Sequence, residues 1–482
     1  MTVIESGIAG IGAYIPDTWI PASELREGWG QFLARGVSSK AVPAADEDAI
    51  TMAYEASTRA LTAAGIEGGD IDKLLFASTT PPVAEEDLTA KLGAMLAIPE
   101  TATRAIVTGS TAAGAQCLVE GGRSMGRTLV VASDCPHGDP DDAIEHAAGA
   151  GAAAFVLEPE APIAISDVSE YAIPYPGTRF RNRGSETVDS LDVTSYERES
   201  FSRALTGAAS QLDYDPSQVA AAAIHAPDAA IPYRATGPLG VDKETVAAAT
   251  VADEIGDAGT AGVPIALASA IADGADRVLV AGYGSGATAA LLLLERSQDR
   301  SPPTDLAIGG SRQLSFAEYV RLRGDVTSGA PEGGGGYVSI PTWQRSIAQR
   351  YRLEAGRCPE CEELNFPPTG VCSSCRASVG YDSVALSRSG TLEALSVIAQ
   401  GGAPPEFAEL QTKYGGAYAT GIVSFDGPDG DSVSAPAFVL EADPDDLSVG
   451  DRVEATIRRI YTQEGVTRYG FKVAPTDEAS VS

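Results

Sequence analysis

Two patterns of apolar and polar positions alternate over residues 1–295. Short apolar runs, such as LLFAST at 74–79 and TLVVASD at 128–134, are typical of buried strands. The longer segments DEDAITMAYEASTRALTAAG at 46–65 and EEDLTAKLGAMLAI at 85–98 are rich in helix-forming residues and begin with acidic ones, which helix N-termini favour. The alternation predicts a layered α/β fold in which helices pack on a sheet.

The second part of this region shows the same alternation of predicted strands and helices. VAAAAIHAP at 219–227 predicts a strand that delivers His225 to its end, and GVPIALASAIADG at 262–274 predicts a helix. RVLVAGYGSGATAALLLLE at 277–295 predicts two strands around a glycine turn. The repetition predicts an internal duplication into halves that span residues 1–165 and 166–325.

A change of composition follows these halves. Residues 326–344 are rich in glycine and have the character of a flexible linker. Cysteine-bearing loops occupy residues 345–382, and short strands with turn signals between them occupy residues 383–475. The pattern predicts a metal-binding ribbon followed by a small β-barrel.

The strongest local signal is the segment RCPECEELNFPPTGVCSSC. It contains two CxxC pairs, Cys358 with Cys361 and Cys372 with Cys375. Each pair lets two thiolates converge from one tight turn, and two pairs complete a closed tetrahedral S4 shell, which suits a structural zinc ion. Rubredoxin-like iron and redox-active thiols are the alternatives that the spacing leaves open.

The other two cysteines lie in the first region. Cys117 falls in the small-residue helix TAAGAQCLVE, where a cysteine usually serves as a small apolar core residue. Cys135 precedes His137 in SDCPHGDP. The pair has the residue types of a nucleophile and its base, but the segment also has the form of a proline turn, and we favour the turn.

Net charge narrows the classes of partner. The chain carries 34 basic and 66 acidic side chains, a formal charge of −32, and only six of its basic residues are lysines. This balance predicts a salt-adapted cytoplasmic protein, with an acidic mesophilic protein as the alternative. It argues against nucleic acid as a partner. No apolar run approaches the roughly 20 residues of a membrane span, and the first residues lack a basic flank and a cleavage site.

Several segments, in order along residues 1–325, resemble archaeal hydroxymethylglutaryl-CoA synthase, a condensing enzyme of the thiolase superfamily related to ketoacyl synthase III. Residues 345–475 resemble the zinc-ribbon and OB-fold domain that associates with thiolases and acyl-CoA enzymes. The resemblance implies a duplicated, layered α/β thiolase fold, then a zinc ribbon and an OB-type barrel, with acyl-CoA as ligand or substrate. The matching segments of the first region are GIAGIGAYIP, ADEDAITMAYEASTRALTAAGI, DDAIEHAAGAGAAAFVLE, AIHAPDAAIPYRATGPLG, EIGDAGTAGVPIALASAIADGADRVLVAGYGSGA and LSFAEYVRLRG.

The resemblance also implies a catalytic set, which this chain keeps only in part. The family uses a cysteine nucleophile, a glutamate that removes a proton from the acetyl methyl group, and a histidine that polarises a carbonyl. Thr111 in STAAG stands at the cysteine position and Thr79 in STTPP at the glutamate position, whereas His225 in AIHAPD is retained. Asp257 in IGDAG replaces the family's asparagine.

The same resemblance implies where CoA binds. Ala230 occupies the place of the basic residue expected after the histidine motif, which weakens a CoA contact. Because the surface is acidic, CoA needs an entry lined by arginine, and Arg234 is a candidate for it. The YGSG turn is kept and supplies Gly284, Ser285 and Gly286. Arg104 and the arginines of residues 179–183 are further candidates to line the approach of this polyanionic ligand.

Three hypotheses remain at this point, and the sequence leaves open whether the chain is an enzyme. We favour a protein with a degenerate site that binds acyl-CoA or scaffolds a thiolase or synthase partner, as a homodimer or a heteromer. The second hypothesis is an active condensing acyltransferase of the HMG-CoA synthase or 3-oxoacyl synthase type that uses a non-standard nucleophile, Thr111 or Cys117. The third is an interaction protein whose OB-fold binds oligonucleotides, which the acidic charge disfavours.

Overall fold

In the computed structural model of the protein, two compact units follow one another, Met1–Tyr319 and Val320–Ser482. The structure describes residues 4–191, 194–297, 304–326, 344, 346–399, 407–440, 442–463 and 466–476. The predicted linker at 326–344 therefore lies almost entirely outside the described residues. Over the described ranges, no helix has the length and apolar character needed to cross a bilayer.

The first unit contains both strands and helices. Its strands are β1 Gly7–Tyr14, β2 Thr18–Pro21, β3 Ser39–Ala41, β4 Lys73–Ala77, β5 Thr103–Val107, β6 Thr128–Asp134, β7 Gly151–Glu158, β8 Ile163–Ala172, β9 Arg179–Phe180, β10 Asp189–Ser190, β11 Ala221–Ile224, β12 Arg277–Gly284, β13 Thr288–Arg296, β14 Thr304–Ala307 and β15 Arg312–Gln313. Its helices are α1 Ala22–Trp29, α2 Ala49–Ala64, α3 Leu88–Met95, α4 Ala113–Gly122, α5 Ala143–Ala147, α6 Thr194–Ala209, α7 Thr236–Leu239, α8 Lys243–Ala247, α9 Ala252–Ile255 and α10 Gly262–Ala272. A further helix, α11 Phe316–Arg323, begins in this unit and ends in the second.

The main sheet carries the predicted duplication. Its path is β11-β12-β13-β8-β1-β7-β6-β4-β5, and β14 pairs with β1. Outward from the centre, β1-β7-β6-β4 and β8-β13-β12-β11 have the same pairing, two antiparallel contacts followed by a parallel one. The duplicated α/β architecture is therefore confirmed. β5 extends the first half by one further strand.

Predicted elements and observed ones differ mainly at their boundaries. The helix predicted from residue 46 begins at Ala49, because Asp48 is its N-cap and accepts hydrogen bonds from the backbone N–H groups of Ile50 and Thr51. The helix predicted from residue 85 likewise begins at Leu88, after Asp87 caps it. Residues 163–172 form β8, a central strand that is absent from the sequence-based assignment.

Helices pack on the sheet through small residues. α2 lies against β1 and β7, while α4 and α10 contact strands of both halves. A Cβ atom at residue 12 of β1 would lie 2.2 Å from the carbonyl oxygen of Ala56 in α2, so this contact requires glycine. The helix backbone consequently lies directly on the strand.

The second unit contains the predicted ribbon and barrel. Its helices are α12 Ile347–Arg352 and α13 Ala408–Lys413, and a small sheet has the order β17 Leu364–Asn365, β16 Glu354–Arg357, β18 Asp382–Ala385. The strands β19 Ser389–Ile398, β20 Tyr418–Asp426, β21 Ser432–Val439, β22 Arg452–Gln463 and β23 Val466–Pro475 close into a barrel in the order β19-β20-β21-β23-β22. Leu392, Val423, Phe425, Val453 and Val473 are fully buried in its core.

Gly12→Ala should destabilise the first unit, because the added methyl group meets backbone rather than a movable side chain. We expect the free energy of unfolding to fall by about 1–3 kcal/mol, the usual cost of overpacking, measured by urea denaturation with circular dichroism. Gly69→Ala is the matched control, because a Cβ there meets no atom within 4 Å. Equal stability of both variants would contradict the close packing of β1 on α2.

Candidate active site and metal centre

The predicted catalytic positions lie at strand ends and loops of the first unit. Thr79 follows β4, and Thr111 lies two residues before the first residue of α4. His225 directly follows β11, and Asp257 lies in the loop after α9. Hydrogen bonds and ring contacts connect these positions, as described below.

A buried carboxylate that the sequence motifs did not single out links several of these segments. Asp134 ends β6 and is 0% exposed. Its oxygens accept hydrogen bonds from the backbone N–H groups of Thr79, Thr80 and Thr260, at 2.7, 2.9 and 2.8 Å. They also accept from the hydroxyls of Ser78, Thr79 and Thr80. Burial raises the pKa of Asp134, against the effect of these hydrogen bonds.

Thr79, at the predicted glutamate position, is held by Asp134. Its hydroxyl donates to Asp134 Oδ2 at 2.6 Å, so the proton points toward the buried carboxylate. Its carbonyl oxygen accepts a hydrogen bond from the guanidinium of Arg181. The side chain at this position therefore offers no basic group.

Thr111, at the predicted nucleophile position, donates its hydroxyl proton to the carbonyl oxygen of Tyr283 at 2.8 Å. The helix that follows is tied to the Asp134 network, because Gly114 N–H donates to Thr260 Oγ1 at 2.6 Å. The neighbouring Ser110 packs at Gly284, where a Cβ atom would lie 1.7 Å from Ser110 Oγ. A side chain at residue 284 would therefore displace the Ser110 hydroxyl, next to Thr111.

His225 packs near Tyr283, the first residue of this turn. Its ring centroid is 5.9 Å from that of Tyr283, and its side chain is nearly fully buried. Burial lowers the pKa of His225 from its ordinary 6.5 to about 4, although the nearby Asp257 carboxylate raises it and Arg179 lowers it. The imidazole is therefore neutral at pH 7.

Asp257 forms an ion pair at the place where the resemblance implies an asparagine. Its Oδ2 contacts Nη1 of Arg179 at 2.5 Å, and its Oδ1 accepts from Gly259 N–H at 2.9 Å. The backbone N–H of Arg179 donates to Ser285 Oγ at 3.0 Å, so the YGSG turn and the arginine segment are joined. The charge of Asp257 is thereby balanced inside the site.

A second buried ion pair is connected to the Asp257 loop through α5. Lys40 and Glu145 are each 2% exposed, and Lys40 Nζ lies 2.9 Å from Glu145 Oε1 and from the Tyr319 hydroxyl. Glu145 belongs to α5, whose last residue, Ala147, accepts the backbone hydrogen bond of Asp257 at 2.7 Å. No local sequence pattern marks this pair, since its members are distant along the chain.

The predicted CoA-binding residues occupy different surroundings. Arg234 lines a small pocket together with His225 and Tyr283. The volume open to the centres of water molecules is about 20 Å³, which is enough for one or two waters. Arg104 lies elsewhere, and its guanidinium donates to the carbonyl oxygens of Pro99, Glu100 and Ala102.

The two cysteines of the first unit differ in environment. Cys117 is 0% exposed inside α4, and burial together with Glu120 raises the pKa of its thiol to about 12. It packs as a core residue, as the small-residue pattern predicts. Cys135 is half-buried beside the site, and its backbone N–H donates to Thr80 Oγ1 at 2.9 Å.

The four predicted metal ligands converge in the second unit. The Sγ atoms of Cys358, Cys361, Cys372 and Cys375 all lie within 4.8 Å of one another. Four thiolates at such distances fit a single tetrahedral ion and leave no position for a substrate. The donor set therefore suits a structural metal.

Both CxxC turns have the same backbone form. The residue after each pair, Glu362 or Arg376, has a positive φ of 63° or 64°. Its N–H donates to the carbonyl of the first cysteine of that pair, at 2.8 Å for Cys358 and 3.1 Å for Cys372. Asn365, which the spacing does not single out, donates to Cys372 Sγ at 3.6 Å, and such contacts orient a metal-bound thiolate.

Comparison with known proteins agrees with the sequence-based resemblance. Residues 345–379 match the family model "ChsH2, rubredoxin-like zinc ribbon domain". A hydroxymethylglutaryl-CoA synthase of Aeropyrum pernix is 29% identical over 344 residues, which cover 66% of this chain and 94% of that protein. The predicted homology with archaeal hydroxymethylglutaryl-CoA synthases and the predicted zinc-ribbon domain are thus confirmed.

Solved structures support the fold. A crystal structure of HMG-CoA synthase complexed with CoA aligns with a TM-score of 0.56 at 17% identity, covering 70% of this chain and 96% of that one. 3-oxoacyl-(acyl carrier protein) synthase III, FabH, from Pseudomonas aeruginosa aligns with a TM-score of 0.55 at 18% identity, covering 61% of this chain and 99% of that one. The thiolase-like α/β fold is confirmed.

Cys361→Ser should abolish stable metal binding, because a thiolate ligand is replaced by a weakly coordinating hydroxyl. We expect about one metal ion per wild-type chain by plasma mass spectrometry after dialysis, and well under half of that in the variant. Cys135→Ser, outside the cluster, should keep the full content. A variant that retained the wild-type metal content would contradict the assignment of Cys361 as a ligand.

His225 should make the first unit sensitive to acid. Its folded pKa of about 4 lies below the ordinary 6.5, so its contribution to stability is complete above pH 6.5 and is lost as the pH falls toward 4. The loss should be about 1.4 kcal/mol per pH unit, or about 2 kcal/mol between pH 6.5 and pH 5. Urea denaturation at both pH values should show this loss, and His225→Asn should lack that part of it.

The wild-type protein at the same two pH values is the reference for this measurement. If His225→Asn loses stability between the two pH values as steeply as the wild type, the assignment of His225 as a buried, neutral histidine is wrong.

Proposed function

We propose that the first unit binds acyl-CoA at the strand ends around His225 without catalysing condensation, and that the chain serves as a non-catalytic partner of a thiolase or synthase. The proposal rests mainly on the hydrogen bond from Thr111 to the Tyr283 carbonyl. Attack on a thioester requires the nucleophile to give its proton to a base, and a backbone carbonyl does not accept a proton near neutral pH. A hydroxyl held in this way is a poor substitute for a thiolate.

The surroundings of Thr79 support the same conclusion. Deprotonation of an acyl methyl group needs a base within hydrogen-bonding distance of the substrate. Thr79 has none, and the nearest carboxylate, Asp134, is fully buried and accepts six hydrogen bonds from the protein. Asp134 is therefore a structural acceptor in this proposal.

Binding of acyl-CoA is supported by what the site retains. Neutral His225 can hydrogen-bond to a thioester carbonyl, and Arg234 stands beside it for an anionic group. The Gly284–Gly286 turn keeps its close approach to Ser110. A solved protein of the same fold is described as complexed with CoA.

A scaffolding role is supported by the edge of the main sheet. β5 is the last strand on one side, next to β4, and α4 packs against both strands. The β5 residues Thr103–Val107 are exposed or half-buried. An edge strand offers backbone groups for pairing with another chain, so we propose that this edge joins either a second copy or a thiolase-like partner.

We further propose that the ion held by the four cysteines is zinc with a structural role. Four thiolates in a closed shell are typical of zinc ribbons. Plasma mass spectrometry separates zinc from iron directly. Iron, accompanied by visible thiolate-to-iron absorption, would overturn this choice.

Thr111→Cys should give the protein an acylation activity that the wild type lacks, because a thiolate at this position no longer needs a strong base. We expect no covalent adduct on wild-type protein incubated with acetyl-CoA, although calorimetry should detect CoA binding. The variant should gain the mass of one acetyl group, located by peptide mass spectrometry at residue 111. Ser110→Cys is the matched control and should remain unmodified.

Three results would contradict the proposal. An acetyl adduct on the wild-type protein would favour the alternative, an active condensing acyltransferase with a non-standard nucleophile. Absence of CoA binding would remove the proposed ligand. CoA binding without acetylation of Thr111→Cys would mean that the bound thioester does not reach residue 111.

A further inference from the structure

The loop of residues 30–38 connects α1 to β3 and packs on the segment that follows His225. Its Arg35 carbonyl accepts the backbone hydrogen bond of Ala229 at 3.1 Å, and Arg35 Nε lies 3.5 Å from a carboxylate oxygen of Asp228. Small apolar side chains of the loop pack in one cluster with Ala229. The position of this loop is therefore coupled to the backbone just after the histidine of the candidate site.

His146, in α5, holds the same loop at Leu33. Its side chain is 0% exposed, and its ring stacks on that of Phe32 with 5.4 Å between the centroids. Its Nδ1 accepts the backbone N–H of Leu33 at 2.9 Å. A ring nitrogen accepts a hydrogen bond only when it carries no proton, so this contact requires a neutral imidazole with its proton on Nε2. That Nε2 has no hydrogen-bond partner among the described residues, and an Asp141 oxygen lies 3.5 Å away.

The surroundings of His146 favour its neutral form. Burial lowers the pKa of His146 below its ordinary 6.5, and the Lys40 ammonium lowers it further. The carboxylates of Asp141, Glu145 and Asp142 act in the opposite direction. Asp141 is 39% exposed and Glu145 is already paired with Lys40, so solvent and the ammonium weaken the effect of these two groups.

We propose that His146 is a pH-sensitive latch, which holds the 30–38 loop beside His225 when it is neutral and releases the loop when it is protonated. Protonation converts Nδ1 from an acceptor into a donor that faces the Leu33 N–H, so the hydrogen bond is lost and two donors oppose each other. Because the folded pKa is lowered, the latch is closed above pH 6.5 and opens as the pH falls below that value. The latch acts whether or not the site binds acyl-CoA.

Amide hydrogen exchange at pH 7 and pH 5 tests the latch. After correction for the intrinsic exchange rate, the protection of the Leu33 amide should fall by about tenfold at the lower pH, since one pKa unit is a tenfold change in the equilibrium. His146→Asn should show the same protection at both pH values. Its amide oxygen stands two bonds from Cβ, as Nδ1 does, and it does not titrate. His225→Asn, which removes the other buried histidine, should keep the wild-type fall, because the loop opens locally.

Three results of this experiment would overturn the inference. The first is equal protection of the Leu33 amide at both pH values in the wild type, and the second is a fall in His146→Asn as large as in the wild type. The third is a fall that disappears in His225→Asn, which would mean that the loop exchanges through unfolding of the whole unit.

The wild-type protein offers a second test that needs no variant. The chain has three histidines, so ¹⁵N-labelled histidine gives three imidazoles to resolve by NMR. At pH 7 the His146 ring should carry its proton on Nε2 and none on Nδ1. A protonated Nδ1 at this pH would contradict the latch, because the Leu33 N–H would then have no acceptor on the ring.

Discussion

The buried carboxylate of Asp134 holds together three segments on which the candidate site depends. The end of β4, the end of β6 and the turn at Thr260 are distant in sequence, and each supplies backbone N–H groups or carries the acceptor itself. Buried N–H groups need acceptors, and a carboxylate, with about four lone-pair positions on two oxygens, accepts more hydrogen bonds than any other side chain. Six donors share these positions at Asp134, four of them on Oδ1 and two on Oδ2. Loss of this acceptor would leave several buried donors unsatisfied, each at a cost of about 1–3 kcal/mol.

Close packing at two glycines also fixes the backbone of the candidate site. The constraints come from glycines that pack against polar side chains. A Cβ atom at Gly259 would lie 2.4 Å from Asp134 Oδ2, and one at Gly284 would meet Ser110. Neither of these two contacts involves the side chains of Thr79 and Thr111. Homology to a condensing enzyme therefore establishes the architecture, while activity depends on individual side chains.

Features encoded locally could be predicted from the sequence, and features formed between distant segments could not. The CxxC spacing predicts the cluster of Cys358, Cys361, Cys372 and Cys375 because each turn brings its own two ligands together. β6 and the β12–β13 hairpin follow from apolar runs and a glycine turn. β8 contains Asp167 and Glu170 among its apolar residues and is defined by pairing with β13. Asp134 has donors from separate segments, and Arg181 reaches Thr79 across 102 positions, so neither has a local signature.

The net charge of −32 constrains how an anionic ligand can approach this protein. At physiological ionic strength the Debye length is about 8 Å, so the acidic surface repels a polyanion such as CoA before contact. Affinity must then arise from short-range hydrogen bonds to cations that the protein's own carboxylates have not neutralised. In molar salt the Debye length falls to about 3 Å. Long-range repulsion is then screened, while a direct hydrogen bond to a cation is kept, so an acidic surface is compatible with an anionic ligand at high salt.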